Sequence, residues 1–214
     1  LKKDPSITHV SMIHSETTSG LLNDIEAVGK VVKESGRTFI VDAMSSFGGV
    51  DIPVKEWGID FIVSSANKCI QGVPGFSFII ANKAKLIASE GKARSLSLDL
   101  YDQWKTMDKD GKWRFTSPTH VVLAFAKALE EMKEEGGIPA RSKRYYDNNH
   151  LLIERMKEMG IDTYIKDHQG PIITTFFYPE HHTFSFTDMY QYIKERGYAI
   201  YPGKLTDADT FRIG

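Results

Sequence analysis

The sequence predicts an α/β protein with a mainly parallel sheet that carries helices on both faces. Short apolar, β-branched segments alternate with segments of helical period, which is the pattern of strand–helix–strand units. The strand-like segments are apolar at nearly every position, as is typical of strands buried on both faces. Polar residues follow three of them, at 14–20, 42–46 and 64–68. Because the carboxyl ends of parallel strands share one edge of a sheet, we expect these three segments to meet there.

In the first half of the chain, four strands and one helix are predicted. The strands are short runs of apolar and β-branched residues, at positions 7–13, 38–41, 59–64 and 76–81. The helix lies between the first two strands, because Ile25, Val28 and Val32 recur at helical spacing and Gly36 follows as a stop.

The second half begins with a polar stretch and ends with a smaller α/β unit. Within residues 83–112 one helix is expected between Ala93 and Met107, followed by a turn at 108–111. Two long helices are predicted from Thr119 to Gly136 and from Pro139 to Gly160. A strand at 172–178, a helix at 186–196 and a strand at 198–201 then follow, so we assign residues 1–135 to a large domain and 136–214 to an interdomain helix with a small domain.

The composition excludes some classes of function. With 27 basic and 28 acidic residues the net charge is -1, which offers no electrostatic argument for binding nucleic acid or an anionic membrane. Cys69 is the only cysteine, so the chain has no intrachain disulfide framework, and a cytoplasmic location is expected. The histidines lack the spacing of metal ligands, and no metal site is predicted.

Asp42 and Lys68 are the first candidates for chemistry. Asp42 closes a buried strand, where a carboxylate needs a cationic partner unless it merely caps the following turn. Lys68 follows the next strand, where it is either a solvated surface lysine or an amine held in place to form a Schiff base. As a pair they match the needs of pyridoxal phosphate, which requires an attaching amine and an acid for its ring nitrogen.

Two blocks of sequence carry a family resemblance. VDAMSSFGG (41–49) followed by GIDFIVSSANKCIQGVPG (58–75) resembles the class V aminotransferases among the fold type I pyridoxal-phosphate enzymes. HSETTSG (14–20), RFTSPTHVVLAF (114–125) and the closing FRIG (211–214) fit the same family in the same order. The resemblance implies the large domain of a fold type I enzyme, followed by an incomplete C-terminal small domain.

The resemblance also implies roles for single residues. Lys68 would attach pyridoxal 5′-phosphate covalently and later move a proton as a free amine, while Asp42 would pair with the ring nitrogen. Met44 would pack on one ring face, or else be an ordinary core methionine. Asn67 would bond the polar rim of the cofactor, or else satisfy its own turn.

Three further residues complete the implied set. Thr17 would hydrogen-bond the cofactor near Asp42, although a hydroxyl there also stabilises turns. Thr116 would bind the cofactor phosphate of the partner across a homodimer interface, although it is equally suited to the start of a helix. Arg212 would grip the anionic end of the substrate, and without the resemblance it would be a strand-edge arginine.

Within the family, the sequence of residues 64–75 most resembles members that transfer the amino group of 2-aminoethylphosphonate to pyruvate. An alanine–glyoxylate or serine–pyruvate type, or a non-catalytic aminotransferase-like module, is the alternative. The chain starts without methionine and ends within a strand-like run, which we interpret as part of a longer protein. The phosphate-binding loop of the family would precede Leu1, so weak or no activity is expected of this chain alone.

Overall fold

The computed structural model describes all residues from Leu1 to Gly214, and these form two compact units. Unit 1 comprises residues 1–12, 25–44 and 52–131. Unit 2 comprises residues 13–24, 45–51 and 132–214. A four-stranded sheet and a three-stranded sheet provide the two frameworks.

The four-stranded sheet has the order β1-β2-β3-β4. Its strands are β1 (His9–Ile13), β2 (Thr38–Asp42), β3 (Phe61–Ser65) and β4 (Ser77–Ala81). β2 and β3 are parallel, with Asp42 opposite Val63, and β4 returns antiparallel to β3. All four predicted strands are present, and the α/β fold class is confirmed.

The core of unit 1 lies where α1 (Ile25–Glu34) packs against β2. Phe39 and Val41 of β2 are fully buried, as the apolar pattern predicts. In β4, however, Ile79 is 39% exposed and Ile80 is 45% exposed. The prediction that the strands are covered on both faces is therefore wrong for β4, and it is also wrong for β1, where His9, Ser11 and Ile13 are exposed. Both are outer strands, so the elements packed on the faces of the sheet cover them less fully than they cover β2 and β3.

The polar stretch contains two helices where one was predicted. The short α2 (Lys83–Ile87) begins after Asn82, whose side-chain oxygen accepts hydrogen bonds from the amides of Ala84 and Lys85. The next helix, α3, runs from Leu100 to Asp110, because Asp99 caps its start and the left-handed Gly111 ends it. The predicted turn at 108–111 is consequently the last helical turn with its glycine cap.

The two long helices, α4 (Thr119–Glu135) and α5 (Gly137–Glu158), meet at an ion-pair cluster. Glu135 accepts hydrogen bonds from Arg144 Nε at 2.8 Å and from Arg141 Nη2 at 2.7 Å. These two arginines, Arg144 first, lower the pKa of Glu135 to about 2. The buried Arg141 therefore has a carboxylate partner at the helix junction.

The sheet of unit 2 is antiparallel, with the order β5-β7-β6. Its elements are β5 (Thr174–Phe177), α6 (Phe186–Glu195), β6 (Tyr201–Pro202) and β7 (Thr210–Ile213). The core consists of Met156, Phe176, Ile200 and Phe211. The predicted strand at 198–201 is in the sheet only at Tyr201, because the amide of Tyr198 bonds the carbonyl of Ile193 and closes α6. Among the helices given above, none combines the length and the apolar character that a membrane span requires.

One buried hydrogen bond of unit 2 joins two loop segments. His14 Nδ1 lies 2.9 Å from Ser46 Oγ, and the two residues are 2% and 0% exposed. Burial lowers the pKa of His14 from 6.5 to about 4, because the neutral ring is favoured there. The contribution of this neutral ring to stability is fully present above about pH 6.5 and is lost as the pH falls towards 4.

We therefore expect the protein to lose about 2 kcal/mol of unfolding free energy through His14 between pH 7.5 and pH 5. The variant His14→Asn keeps a neutral side chain of similar reach and should show a smaller loss. Urea unfolding at both pH values measures the difference, with the exposed His120→Asn as the matched control. Equal pH dependence of His14→Asn and the unaltered protein would contradict the assignment.

Candidate active site

In unit 1, the parallel pairing of β2 and β3 brings two of the predicted polar segments to one edge. Asp42 is the last residue of β2, and Ser65 is the last residue of β3. The pairing continues past the strands, since the amide of Ala43 donates to the Val63 carbonyl at 3.0 Å. Ser64 Oγ, at 3.5 Å from the Ala43 carbonyl, lies beside the same backbone. Asp42 and the segment 64–68 are thus neighbours at the carboxyl edge.

Asp42 is half-buried and only partly engaged. Its Oδ1 accepts a hydrogen bond from the amide of Met44 at 2.8 Å, so it does cap the following turn. Its Oδ2 makes no hydrogen bond or ion pair. The turn-capping interpretation and the functional one are therefore compatible, because one oxygen stabilises the turn and the other stays available to a cation.

Lys68 lies in a tight turn that fixes its backbone. The amide of Gln71 donates to the Lys68 carbonyl at 2.7 Å, and the amide of Gly72 donates to the Ala66 carbonyl at 2.9 Å. A Cβ at Gly72 would lie 2.7 Å from the Ala66 carbonyl oxygen, so only glycine fits this close approach. The Lys68 side chain is exposed, and its ammonium makes no hydrogen bond or ion pair. The main chain is held in place while the amine is free.

The other predicted residues of unit 1 differ in their surroundings. Asn67 is exposed beside Lys68, and Met44 is half-buried two residues after Asp42. Thr116 is exposed and precedes α4, the position predicted for it.

Sequence reasoning missed Ser65. Its side chain is 6% exposed, and its Oγ is buried without a hydrogen-bond partner. A buried hydroxyl without a partner is costly, which is unusual away from functional sites. Two adjacent serines at the end of an apolar strand were the available signal, because one of them must face each side of the sheet.

Thr17 and Arg212 both belong to unit 2, where they contact each other. Arg212 Nη1 donates to the Thr17 carbonyl at 2.9 Å, and Arg212 Nε donates to the Pro202 carbonyl at 3.2 Å. Thr17 Oγ1 lies 2.9 Å from Ser45 Oγ. Arg212 is only 8% exposed, and its guanidinium has no carboxylate partner.

The residues at the carboxyl edge of unit 1 fit pyridoxal phosphate. The edge offers one group for each polar part of the cofactor. The free primary amine suits the aldehyde, the half-buried carboxylate with one unengaged oxygen suits the ring nitrogen, and the buried hydroxyl without a partner suits the polar rim. Carboxyl ends of parallel strands are also where ligands of α/β sheets bind.

Comparison with known proteins agrees with this chemistry. The family model described as aminotransferase class-V matches residues 2–208. The 2-aminoethylphosphonate–pyruvate transaminase of Lysinibacillus sphaericus is 61% identical, over 100% of this chain and 58% of its own length. A bifunctional phosphonoacetaldehyde hydrolase/aminoethylphosphonate transaminase of Clostridioides difficile is 58% identical, over 100% of this chain and 34% of its own length. The chain thus spans little more than half the length of the first of these relatives.

Solved structures show the same fold. A pyridoxamine–pyruvate aminotransferase from Mesorhizobium loti superposes with a TM-score of 0.88 at 25% identity, covering 100% of this chain and 55% of that one. A ureidoglycine–glyoxylate aminotransferase from Bacillus subtilis superposes with a TM-score of 0.86 at 25% identity, covering 100% of this chain and 56% of that one. Because the family model matches nearly the whole of this chain, the chain belongs to the class V aminotransferases.

Proposed function

We propose that this chain is the cofactor-anchoring and substrate-anchoring part of a 2-aminoethylphosphonate–pyruvate aminotransferase, which forms phosphonoacetaldehyde and L-alanine. The observation that carries the proposal is the free Lys68 amine on a fixed turn, at the same sheet edge as Asp42. Two relatives that are 61% and 56% identical to the chain bear names with this substrate. The phosphonate-specific names separate this proposal from other class V activities.

Pyridoxal 5′-phosphate is the proposed cofactor. Lys68 would hold it through the ε-amine, and Asp42 would pair with its ring nitrogen through the unengaged Oδ2. Met44, Asn67, Thr17 and Thr116 are proposed as its further contacts, and Ser65 is added because its buried hydroxyl needs a partner.

The bound cofactor supplies an electron-accepting ring, which makes loss of a proton from the carbon beside the amine feasible. Lys68 Nζ is the proposed base and acid, because an amine released from its covalent bond can take that proton and return it nearby. The fixed backbone of 66–72 limits the motion of Nζ to its own side-chain rotations, which keeps it within reach. Asp42, as a carboxylate, would keep a proton at the ring nitrogen.

Arg212 supports an anionic substrate. Burial of a guanidinium without a carboxylate is unfavourable. The two carbonyl partners of Arg212 and the Tyr201 ring, whose centre lies 5.9 Å from its guanidinium carbon, are all neutral and leave the charge without an anion. By contrast, the buried Arg141 is paired with Glu135. An anion such as a phosphonate or the carboxylate of pyruvate would supply the missing charge, and a guanidinium binds both groups with paired hydrogen bonds.

We also propose the domain organisation, the oligomeric state and the location of the protein. The assignment of residues 1–135 to a cofactor-binding large domain and of 136–214 to an interdomain helix with a small domain follows the family resemblance. A homodimer with shared active sites in the cytoplasm follows it as well. The apolar contacts of Met156, Phe176 and Phe211 support a separate small domain, because they form a core of their own.

The donor preference tests the activity. A chimera in which this chain replaces the matching segment of the Lysinibacillus sphaericus transaminase should form alanine from pyruvate with 2-aminoethylphosphonate as donor. Alanine formation should be at least about 100-fold slower with serine as donor. Serine has no phosphonate, so the groups of the site that bind this dianion would be left without partners. Coupled measurement of kcat/KM gives the ratio, and Lys68→Ala in the chimera should lower turnover by about 10⁴-fold. A preference for serine, or normal turnover of Lys68→Ala, would contradict the proposal.

Arg212 can be tested in the same chimera. Arg212→Lys keeps the charge but loses the planar pair of donors, so kcat/KM for 2-aminoethylphosphonate should fall by about 10- to 100-fold. The exposed Arg196→Lys is the matched control and should change kcat/KM less than about twofold. Unaltered kinetics for Arg212→Lys would remove Arg212 from the substrate site.

A further inference from the structure

A cavity of unit 1 lies at the edge of the sheet opposite to Asp42 and Lys68. Its volume is about 710 Å³, within the range of small-molecule sites. Arg37 precedes β2, Asp60 precedes β3, and Ala81 ends the antiparallel β4 opposite Phe61, so all three lie at the amino edge of the parallel pair. The cavity therefore belongs to no part of the site described above.

Most of the charged side chains in the walls of this cavity are cationic. The cations are Lys33, Arg37, Lys55, Lys83 and Lys85. The single carboxylate of the lining, Asp60, is already engaged, since Oδ2 accepts from the Phe39 amide at 3.0 Å and Oδ1 accepts from Asn82 Nδ2 at 3.4 Å. Five positive charges thus surround one negative charge, in a chain whose net charge is -1.

None of these five cations forms an ion pair, although eight ion pairs join other residues of the chain. Lys85 Nζ donates to Thr38 Oγ1 at 3.3 Å, and Arg37 Nη2 donates to the Pro5 carbonyl at 3.1 Å. Lys83 Nζ lies 5.1 Å from the centre of the Trp104 ring. All of these partners are neutral, so Asp60 alone offsets the positive charge of the cavity and four positive charges remain in excess.

Arg37 also has a side-chain donor without a partner in the protein. Its Nε is buried and has no hydrogen-bond partner. Asp4 Oδ1 accepts hydrogen bonds from the Ser6 hydroxyl and amide. No ion pair joins Asp4 to Arg37. A buried guanidinium donor without a partner is costly unless an acceptor occupies the adjacent space.

We propose that this cavity binds a small oligophosphate anion. Several cations around one concave space suit a ligand that carries several negative charges, and guanidinium and ammonium groups are the usual phosphate donors. No aromatic side chain lines the cavity, so recognition would rest on the phosphates and not on stacking of a base. Inorganic tripolyphosphate and the triphosphate of a nucleotide are the two sources of this chemistry.

Isothermal titration calorimetry of the unaltered chain with tripolyphosphate tests the proposal. One saturable site per chain is expected, with an affinity that falls at least about tenfold between 20 mM and 500 mM NaCl, because salt screens the charges. ATP should bind within about threefold of tripolyphosphate, since only phosphates are recognised. Orthophosphate should bind at least about tenfold more weakly because it engages fewer cations. Absence of saturable binding, or tighter binding of orthophosphate, would overturn the proposal.

Variants that remove charge from the cavity test whether tripolyphosphate binds there. Arg37→Gln combined with Lys85→Gln should weaken tripolyphosphate binding by about 100-fold, the loss of two charge-assisted hydrogen bonds. Lys157→Gln combined with Lys166→Gln removes the same charge elsewhere and should change the affinity less than about threefold. Circular dichroism checks folding, and the exposed Lys55→Gln alone should still weaken binding about tenfold if the double variant unfolds. Equal binding by the cavity variants and the control pair would show that the cavity is not the site.

Discussion

The parallel pairing of β2 with β3 is the constraint on which the candidate site depends. Asp42 opposite Val63 sets the register, and this register fixes which side chains leave the sheet at its carboxyl edge. A slip by one residue would reverse the face of every side chain in β3 and move Ser64 and Ser65 to the opposite sides. The apolar contacts of Phe39 and Val41 hold the register, since both are fully buried.

The same pairing gives the sheet two chemically different ends. At the carboxyl edge, Asp42 and Lys68 present one negative and one positive group on fixed backbone, which suits a ring with a protonated nitrogen and a reactive carbonyl. At the amino edge, Arg37 and its four lysine neighbours present positive charge alone. A sheet of this kind can therefore carry two ligands without contact between them, because strand length separates the edges.

Short apolar strands and the polar residues that follow them were predictable from the sequence, because burial on both faces demands an unbroken apolar run. This is why Asp42 and Lys68 could be paired before the structure was known. The start of α3 was not predictable from periodicity, since Asp99 and Gly111 set its ends through capping. The exposure of Ile79 and Ile80 was also missed, because an apolar pattern does not tell an outer strand from a central one.

The basic cavity was hidden for a different reason. Its cations come from three separate segments of the chain, so no run of the sequence is basic. Similarly, the lack of a carboxylate partner for Arg212 depends on distances between side chains, which spacing along the chain does not encode. The family resemblance identified Arg212 as a candidate, whereas its burial supplies the physical reason for an anion.

The most direct measurement of the central claim is the position of a reduced cofactor adduct. The unaltered chain is mixed with one equivalent of pyridoxal 5′-phosphate, reduced with borohydride, digested and mapped by mass spectrometry, with Lys68→Arg as the control. The account predicts that the label lies predominantly on Lys68 and that Lys68→Arg loses it. A label spread over the surface lysines, or concentrated on a lysine other than Lys68, would contradict the account.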